Sequence, residues 1–229
     1  MVIQNRNKQE KEISKEILCD GVIFTGKFTP EASLIRSSHL EFDPKSGGPT
    51  VDQYGRCSDS DFFATGNLTH PVETSGWCWR EAKQVAKHIK HALDGNLPGD
   101  TVRIPIQVRD NRIRYITPQV FAGIMPGESD RQSPKQESLI SFQLRFSSTV
   151  KGTLSMHWDH DESPPFASKF FNTLPERRAI LSIAKSCISI SPDQPKKGRM
   201  NKILIRFSPQ SEDQTENQTE ARAGNRAKT

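Results

Sequence analysis

One stretch of the chain, residues 51–93, most constrains what the chain can fold into. Val51–Asn67 predicts two short strands joined by a turn and a polar hook, and it ends on Thr65-Gly66-Asn67. A helical pattern follows over residues 72–93, with lysines opposite its apolar positions and Gly95 as a stop signal. Its apolar positions are Val72, Trp79, Ala82, Val85, Ala86, Ile89 and Leu93. This order of elements is typical of a sheet with a helix packed on it.

A second apolar run, Leu18–Phe24, precedes this unit and ends in Thr25-Gly26. Its continuous apolar character predicts a buried parallel strand. A strand of this kind needs neighbours on both sides, so we expect other strands of the sheet to come from outside this chain. Pro30–Arg36 predicts one or two helical turns, with Thr29 as the N-cap.

Beyond a boundary at Leu97–Asp100, the pattern changes from helical spacing to period-two alternation. Six short strands are predicted, separated by clusters of Gly, Pro, Ser and Asp. They are Val102–Val108, Arg112–Thr117, Leu139–Ser147, Gly152–Trp158, Ala179–Ile183 and Lys202–Phe207. We therefore expect a small antiparallel β domain over 100–207. Residues 208–229 lack the large apolar side chains that a core needs and are expected to be disordered.

The composition limits which binding partners and which cellular compartment we expect. The formal net charge is +5, but the basic residues are dispersed or alternate with apolar ones, so solvated strand faces explain them better than nucleic-acid binding. The N-terminus is too polar for a signal peptide, and no apolar run is long enough to span a membrane. We expect a cytoplasmic protein that binds neither nucleic acid nor membrane.

Two groups of residues could suggest other chemistry. The four cysteines, which include Cys57 and Cys78, form no Cys-x-x-Cys pair, so packing is the preferred role for these two rather than redox catalysis or zinc binding. His157–Glu162 contains a His-x-x-His spacing but lies between a strand and two prolines, where a polar hairpin tip is expected. We therefore assign no metal site.

Five motifs follow one another along the chain. They are Cys19–Gly26, Pro30-Glu31, Val51–Asn67, Pro71–Thr74 and Trp77–Glu81. Together they resemble the C-terminal part of an FAD- and NAD(P)-binding oxidoreductase of the pyridine-nucleotide-disulfide type. The resemblance is strongest to the branch that contains opine oxidase and hydrogen cyanide synthase subunits. The resemblance implies an α/β fold, namely a two-dinucleotide-domain flavoprotein fold without its N-terminal half. Residues 1–28 would end the NAD(P)-binding domain, and residues 29–95 would complete the FAD-binding domain.

The resemblance also implies a set of cofactor-binding residues. They are Thr25, Gly26, Gly66, Asn67, Val72, Glu73 and Thr74. Gly66 lets a cofactor approach the backbone, and Asn67, where the family commonly has Asp, can hydrogen-bond a ribityl hydroxyl. Backbone amides near the start of the helix would face the O2 edge of the flavin ring. His70 and Glu73 are acid–base groups near this edge, but the sequence assigns no catalytic residue.

The implied function is therefore half of a flavoenzyme. The glycine-rich loop that binds the pyrophosphate is not found in the sequence, so we expect weak or no independent FAD binding. One interpretation is a subunit that completes its site with a separate N-terminal flavoprotein polypeptide. The other is a non-catalytic interaction module.

Overall fold

Strands dominate the structure. The computed structural model describes residues 2–4, 14–23, 28–71, 73–97, 103–122, 139–159, 164–184 and 202–210. This part of the chain holds twelve strands, two α-helices and one 3-10 helix. The helical segments are α1 (Ser33–Arg36), the 3-10 helix (Gly66–Leu68) and α2 (Ser75–Leu93). The strands are β1 (Val2–Gln4), β2 (Ser14–Glu16), β3 (Phe42–Asp43), β4 (Gly48–Pro49), β5 (Arg103–Val108), β6 (Ile113–Thr117), β7 (Val120–Ala122), β8 (Leu139–Phe146), β9 (Val150–Trp158), β10 (Ala167–Thr173), β11 (Arg178–Ala184) and β12 (Ile203–Pro209).

Two sheets enclose the main core. One has the strand order β10-β9-β12-β5-β7, and the other has the order β11-β8-β6. The first sheet is mixed, because β12 runs parallel to β5 and antiparallel to β9. Apolar side chains from both sheets form one buried cluster, in which the Phe146 ring contacts the rings of Phe171 and Phe207. Burial of the apolar side chains of this cluster is the main favourable contribution to the fold.

Strand β8 is buried on both of its faces from Phe142 to Phe146. Phe142, Leu144 and Phe146 point into the core. The residues between them, Gln143 and Arg145, are also buried, although they are polar. Successive side chains on a strand point to opposite faces, so these two lie on the outer face of the sheet. There they meet the segment that leads into α2.

The α/β prediction is wrong, because the protein is mainly β. Residues 29–95 were expected to complete the FAD-binding domain. The part of this segment that the structure describes contributes no strand to either large sheet. Val51–Asn67 folds instead as hydrogen-bonded turns with a single bridge between Arg56 and Phe63. Asp52 shapes the first turn by accepting hydrogen bonds from the backbone amides of Tyr54 and Arg56. Local side-chain acceptors of this kind compete with strand pairing.

The buried parallel strand expected at Leu18–Phe24 is not found over residues 18–23. These residues are exposed and make no strand, and Leu18 exposes 95% of its surface. Phe24, Thr25 and Gly26 lie outside the described residues, as do most of the expected tail and the tip of the expected His157–Glu162 hairpin. An apolar run forms a buried strand only where neighbouring strands and the layers on both sides of the sheet cover it.

The six strands expected after residue 100 are observed as β5, β6, β8, β9, β11 and β12, each within two residues of its expected ends. The expectation of a purely antiparallel domain is wrong, because β5 and β12 pair in parallel. The sequence did not predict β7 or β10. In β10 only Phe171 is buried, so the strand lacks the alternation that identifies a half-buried strand. In the part of the chain described, no helix is long and apolar enough to cross a membrane.

Candidate functional site

The Gly66–Asn67 turn is the centre of the expected cofactor site. Gly66 has φ +66°, in the left-handed region that favours glycine. A Cβ added to it would lie 3.4 Å from the Cβ of Cys78, which is an ordinary van der Waals contact, so the backbone conformation and not the space is what favours glycine here. The carbonyl of Gly66 accepts hydrogen bonds from the amide and the hydroxyl of Thr69, both at 3.0 Å. In this structure α2 packs on the turn through Cys78.

Asn67 closes the loop between this turn and α2. Its Oδ1 accepts a hydrogen bond of 2.8 Å from the backbone N–H of Glu73. Two of the expected cofactor groups, the amide oxygen of Asn67 and the backbone amide of Glu73, therefore satisfy each other. The side chain of Asn67 is exposed, which leaves its Nδ2 at the surface as a donor.

The carboxylate of Glu73 is the most heavily bonded group in this region, and its side chain is only 3% exposed. Oε1 accepts hydrogen bonds from Gln143 Nε2, at 2.7 Å, and from Arg145 Nη2. Oε2 accepts one from Arg178 Nη1, at 2.5 Å. The Arg178 guanidinium also stacks 3.7 Å from the centre of the Trp77 ring. A buried carboxylate needs partners of this kind, because an unpaired buried charge is costly.

His70 is fixed in one tautomer by the same network. The single N–H of Trp77 lies 2.6 Å from Glu81 Oε1 and 3.1 Å from Gln143 Oε1. Gln143 Nε2 donates to Glu73 Oε1, and this bond sets the orientation of the Gln143 amide. Its Nε2 therefore faces His70 Nδ1 as a donor, at 3.2 Å. With Nδ1 as the acceptor, Nε2 is the donor of the ring, and it lies 3.1 Å from Glu81 Oε1. His70 is buried with both nitrogens engaged, so it holds the start of α2 against β8.

The charges of this network balance. Glu73 and Glu81 carry the negative charges, and Arg145 and Arg178 carry the positive ones. Burial, followed by the nearby charge of Arg178, lowers the pKa of Arg145 to about 10, so Arg145 stays protonated at neutral pH. From β6, the hydroxyl of Tyr115 donates to the carbonyl of Pro71 at 3.3 Å, and burial raises the pKa of this phenol.

The N-terminus of α2 is open. Thr74, expected to line the flavin edge, is the N-cap residue, but its side chain makes no capping hydrogen bond, and the first turn has no acidic residue. Ser75 and Gly76 are exposed, and a Cβ added to Gly76 would meet nothing within 4 Å. The first amides of a helix lack partners within the helix and carry a partial positive charge. This end of α2 can therefore accept a negatively polarised group.

The outer face of α2 is apolar and uncovered. Trp79 exposes 61% of its surface and Leu93 exposes 84%. Ala82, Ala86 and Ile89 lie between them on the same side and are also exposed. The helix packs on the rest of the protein through another face, which includes Trp77, Cys78 and Val85. We call the exposed residues Trp79, Ala82, Ala86, Ile89 and Leu93 the outer stripe.

The remaining expected residues are placed as follows. Thr25, Gly26 and Val72 lie outside the described residues. Cys57 is buried, with a pKa raised to about 11 by burial and then by Asp52, so its thiol is unreactive at neutral pH. His157 bonds Ser155 within the β9 strand. Among the described residues, no group of three potential ligands could hold a metal ion.

Three residues of this site were not identified from the sequence. Gln143, Arg145 and Arg178 lie 70 to 105 positions after Glu73, on two strands of the β domain. The only signal was two polar residues in the apolar alternation of β8. Such residues also occur on solvated strand faces, so the signal does not identify a partner. No protein-family model, curated protein or solved structure matches this chain.

Proposed function

We propose that the chain contributes the ring-edge side of the flavin site of an FAD- and NAD(P)-dependent oxidoreductase. The observation that carries the proposal is the open N-terminus of α2, placed directly after the Gly66–Asn67 turn. This is the order of elements in the family that the sequence resembles. The proposal concerns the site and does not require the α/β fold that the structure overturns.

The residues present fit one part of FAD better than another. The exposed amides of Ser75 and Gly76, with the partial positive charge of the helix end, suit the electron-rich edge of the flavin ring. The residues fit the ribityl chain less well, because Asn67 Oδ1 already accepts a hydrogen bond from the N–H of Glu73 and only Nδ2 can bond a ribityl hydroxyl. When bound, FAD supplies the hydride-accepting chemistry. The chain's own part is to orient the ring and to stabilise negative charge at its edge.

The outer stripe supports the expected partner. An exposed row of five apolar residues on one helix is costly in water, and such surfaces mark contacts with other proteins. We propose that an N-terminal flavoprotein polypeptide, carrying the glycine-rich pyrophosphate loop, covers this stripe and completes the site. We further propose a cytoplasmic location, where Cys19, Cys57 and Cys78, which are unpaired here, stay reduced.

The experiment is to produce the full chain alone and together with the product of the reading frame immediately upstream. We expect visible flavin absorbance, at one FAD per complex, only in the co-purified pair. A pair that forms but holds no FAD would remove the flavin proposal and favour the second candidate, an interaction module. The observation that favours this second candidate is the outer stripe itself, since it requires a partner but not a cofactor.

A point substitution tests the helix end directly. Thr74→Asp places a capping carboxylate at the N-terminus of α2, where it stabilises the helix by about 0.5–2 kcal/mol. The same carboxylate bonds the first amides of the helix and repels the flavin edge. We therefore expect the variant chain to be more stable and the co-purified pair that contains it to bind FAD less tightly. Gln84→Asp adds the same charge on the exposed surface of α2 and serves as the control. Equal FAD affinities for the two variants would contradict the assigned position.

A further inference from the structure

We infer that the outer stripe of α2 is a coiled-coil seam and that its occupant is an acidic α-helix of another polypeptide. One point rests on the proposed function, namely the identity of the polypeptide that carries this helix. The chemistry of the helix follows from the spacing, exposure and charges of α2, and a synthetic peptide tests it without flavin.

The outer stripe has the spacing of a coiled-coil seam. Its residues follow one another at intervals of three, four, three and four positions. This is the alternation of the a and d positions of a heptad repeat, with Trp79, Ala86 and Leu93 at a, and Ala82 and Ile89 at d. A helix that packs on the core of a globular protein has a wider apolar face, whereas an a/d stripe is the seam at which two helices pack. The uncovered stripe therefore predicts another helix as its occupant.

The two flanks of the seam differ. At the g positions, Cys78 and Val85 face the turns that precede the helix, where each lies beside a glycine. At the e positions, Lys83 and Lys90 are exposed. The ammonium group of Lys83 lies 4.4 Å from the centre of the Trp79 ring, so it borders the seam directly. A helix on the seam therefore contacts the body of the protein on one side and two lysines on the other.

The charges on the exposed side of α2 are all of one sign. Arg80 and Lys87 are exposed and extend the basic row. Glu81 is the only acidic residue of the helix, and it turns inward to join the buried network. Charged residues at e and g positions set the choice of partner in a coiled coil, because they meet the corresponding positions of the other helix. Glutamates on the occupant therefore complement Lys83 and Lys90.

The same lysines argue against a second copy of this chain. In an antiparallel pair of α2 helices, the e positions of one helix face those of the other, so that lysine would meet lysine, which is unfavourable. In a parallel pair, the e positions face g positions, and here the g flank is already packed on the turns that precede the helix. An anionic membrane would attract the lysines, but membrane binding does not require heptad spacing. An acidic helix satisfies both the spacing and the charges.

The first test measures the binding of a synthetic peptide to the full chain by fluorescence anisotropy. The peptide has about three heptads, with leucine at a and d and glutamate at e and g, and a second peptide has lysine in place of glutamate. We expect the wild-type chain to bind the glutamate peptide about tenfold more tightly than the lysine peptide. Equal binding of the two peptides, or binding of neither, would overturn the inference.

Charge reversal on α2 should exchange this preference. Both lysines are exposed, so Lys83→Glu/Lys90→Glu should keep the fold, which circular dichroism checks. We expect the variant to bind the glutamate peptide at least about fivefold more weakly than wild type and to prefer the lysine peptide. Lys151→Glu changes an exposed lysine of β9 and should leave the preference unchanged. A charge-reversed chain that keeps the wild-type preference would contradict the assigned role of the lysines.

Leu93→Gln tests the apolar seam. Leu93 is 84% exposed, so its loss should not disturb the fold, but it removes an apolar contact with the occupant. We expect the variant to bind the glutamate peptide about tenfold more weakly. Leu174→Gln, at a leucine that is 57% exposed between β10 and β11, is the matched control and should bind as wild type does. Equal effects of the two substitutions would show that the peptide does not bind on the seam.

Vesicles of phosphatidylserine and phosphatidylcholine test the membrane alternative. We expect the wild-type chain not to float with these vesicles at physiological salt. Flotation that is lost in Leu93→Gln, together with no binding of the glutamate peptide, would assign the stripe to a membrane surface and overturn the inference.

The last test uses the pair formed with the product of the upstream reading frame. Lys83→Glu/Lys90→Glu should reduce the recovery of that polypeptide about fivefold or more. A wild-type pair that is weakened in this way but holds no FAD would remove the flavin proposal and leave the acidic helix standing. A pair that holds FAD and forms equally well with the charge-reversed chain would overturn the inference and leave the proposed function intact.

Discussion

Cys57 lies in a small core with Leu40, Val51 and Ala64, beneath the turns of residues 51–66. Its burial, together with the nearby charge of Asp52, raises the pKa of the thiol to about 11. Because the thiolate is the reactive form, we expect Cys57 to resist a thiol reagent such as DTNB in the folded protein at pH 8 and to react once the protein unfolds. Exposed Cys19 should react in both states. Fast labelling of Cys57 in the native protein would contradict its burial.

The same thiol gives a pH dependence with a defined sign. Its folded pKa of about 11 lies above the ordinary value of 9.0, so the folded state holds the proton more tightly than the unfolded state. The resulting stabilisation is present below pH 9 and is lost as the pH rises from 9 to 11. We expect Cys57→Ala to reduce the loss of unfolding free energy between these pH values by roughly 1–2 kcal/mol. Urea denaturation across this range measures the slope, and an equal slope in both proteins would contradict the prediction.

Glu73 should be the acidic residue of the site whose loss costs most. Glu73→Gln leaves Arg145 buried without a counter-charge, and removal of one partner from a buried pair costs about 3–5 kcal/mol. Glu176→Gln is the matched control, since it also breaks a pair with an arginine, but Glu176 is about half exposed. Exposed pairs contribute about 0–1 kcal/mol. Chemical denaturation compares the two variants, and similar losses would show that the Glu73 network does not stabilise the fold.

At the level of elements, α2 packs against two glycines, and one of them leaves no room for a side chain. Gly55 has φ +81°, and a Cβ added to it would lie 2.8 Å from a methyl carbon of Val85 and 3.1 Å from the carbonyl oxygen of Ala64. Gly66 lies next to Cys78, about two turns earlier on the helix. The turns of residues 51–66 are thus shaped to receive the helix. The sequence showed the glycines, but it did not show that α2 packs against them.

Gly55→Ala should therefore displace α2. The new Cβ meets a stiff β-branched side chain in a conformation that already disfavours alanine, so we expect a loss of about 1–3 kcal/mol. Gly76→Ala provides the control. Gly76 lies in α2 with open space around it, so this substitution should instead raise the free energy of unfolding by about 0.5–1 kcal/mol. Thermal unfolding followed by circular dichroism measures both. Equal effects of the two substitutions would contradict the packing of α2 on Gly55.

The helix itself was predictable, whereas the face it buries was not. Three-to-four spacing predicted a helix over 72–93, and α2 spans Ser75–Leu93. The structure leaves most of that apolar pattern exposed and packs α2 through a different face, which contains Trp77 and Cys78 as well as Val85. Periodicity gives the direction of an apolar face relative to the helix, but it does not say which neighbour covers it.

At the scale of the whole molecule, the segment before α2 is joined to the β domain. The Gln53 side chain donates to the carbonyl of Ala122 at 2.7 Å and accepts from its amide at 2.8 Å, in the manner of a neighbouring strand. Val51 bonds both the backbone and the side chain of Gln119. Arg103 donates to the carbonyl of Cys57 from β5. The edge at β7 is thus covered by turns instead of another strand.

These contacts predict one cooperative unfolding transition. Trp77 and Trp79 report on α2, Trp158 reports on β9, and circular dichroism reports on the strands. We expect the fluorescence and dichroism curves in urea to coincide. Two separated transitions would show that the segments before and after residue 97 unfold as independent domains.

Gln53→Ala tests the join between the two segments. It leaves the buried backbone groups of Ala122 without their partner, and we expect a loss of about 1–3 kcal/mol. Gln107→Ala, at an exposed position of β5, should change stability by less than about 0.5 kcal/mol. Urea midpoints of the two variants measure the difference. Equal midpoints would contradict a stabilising join.

The sequence by itself determined the elements whose signals are local. The period of α2 and the alternation of β5, β6, β8, β9, β11 and β12 can be read within ten to twenty residues, because they depend on which side of one element is apolar. The order of Gly66, Asn67 and the helix could be read in the same way and carries the proposed flavin edge.

Only the tertiary structure decided the architecture and the chemistry around that edge. Asn67 and Glu73 bond each other, and Arg145 and Arg178 reach Glu73 from strands more than seventy positions away. Such contacts depend on the pairing of distant strands, for which a local pattern carries no signal. The order of the turn and α2 can therefore be read from the sequence, whereas the partners of Glu73 are a property of the fold.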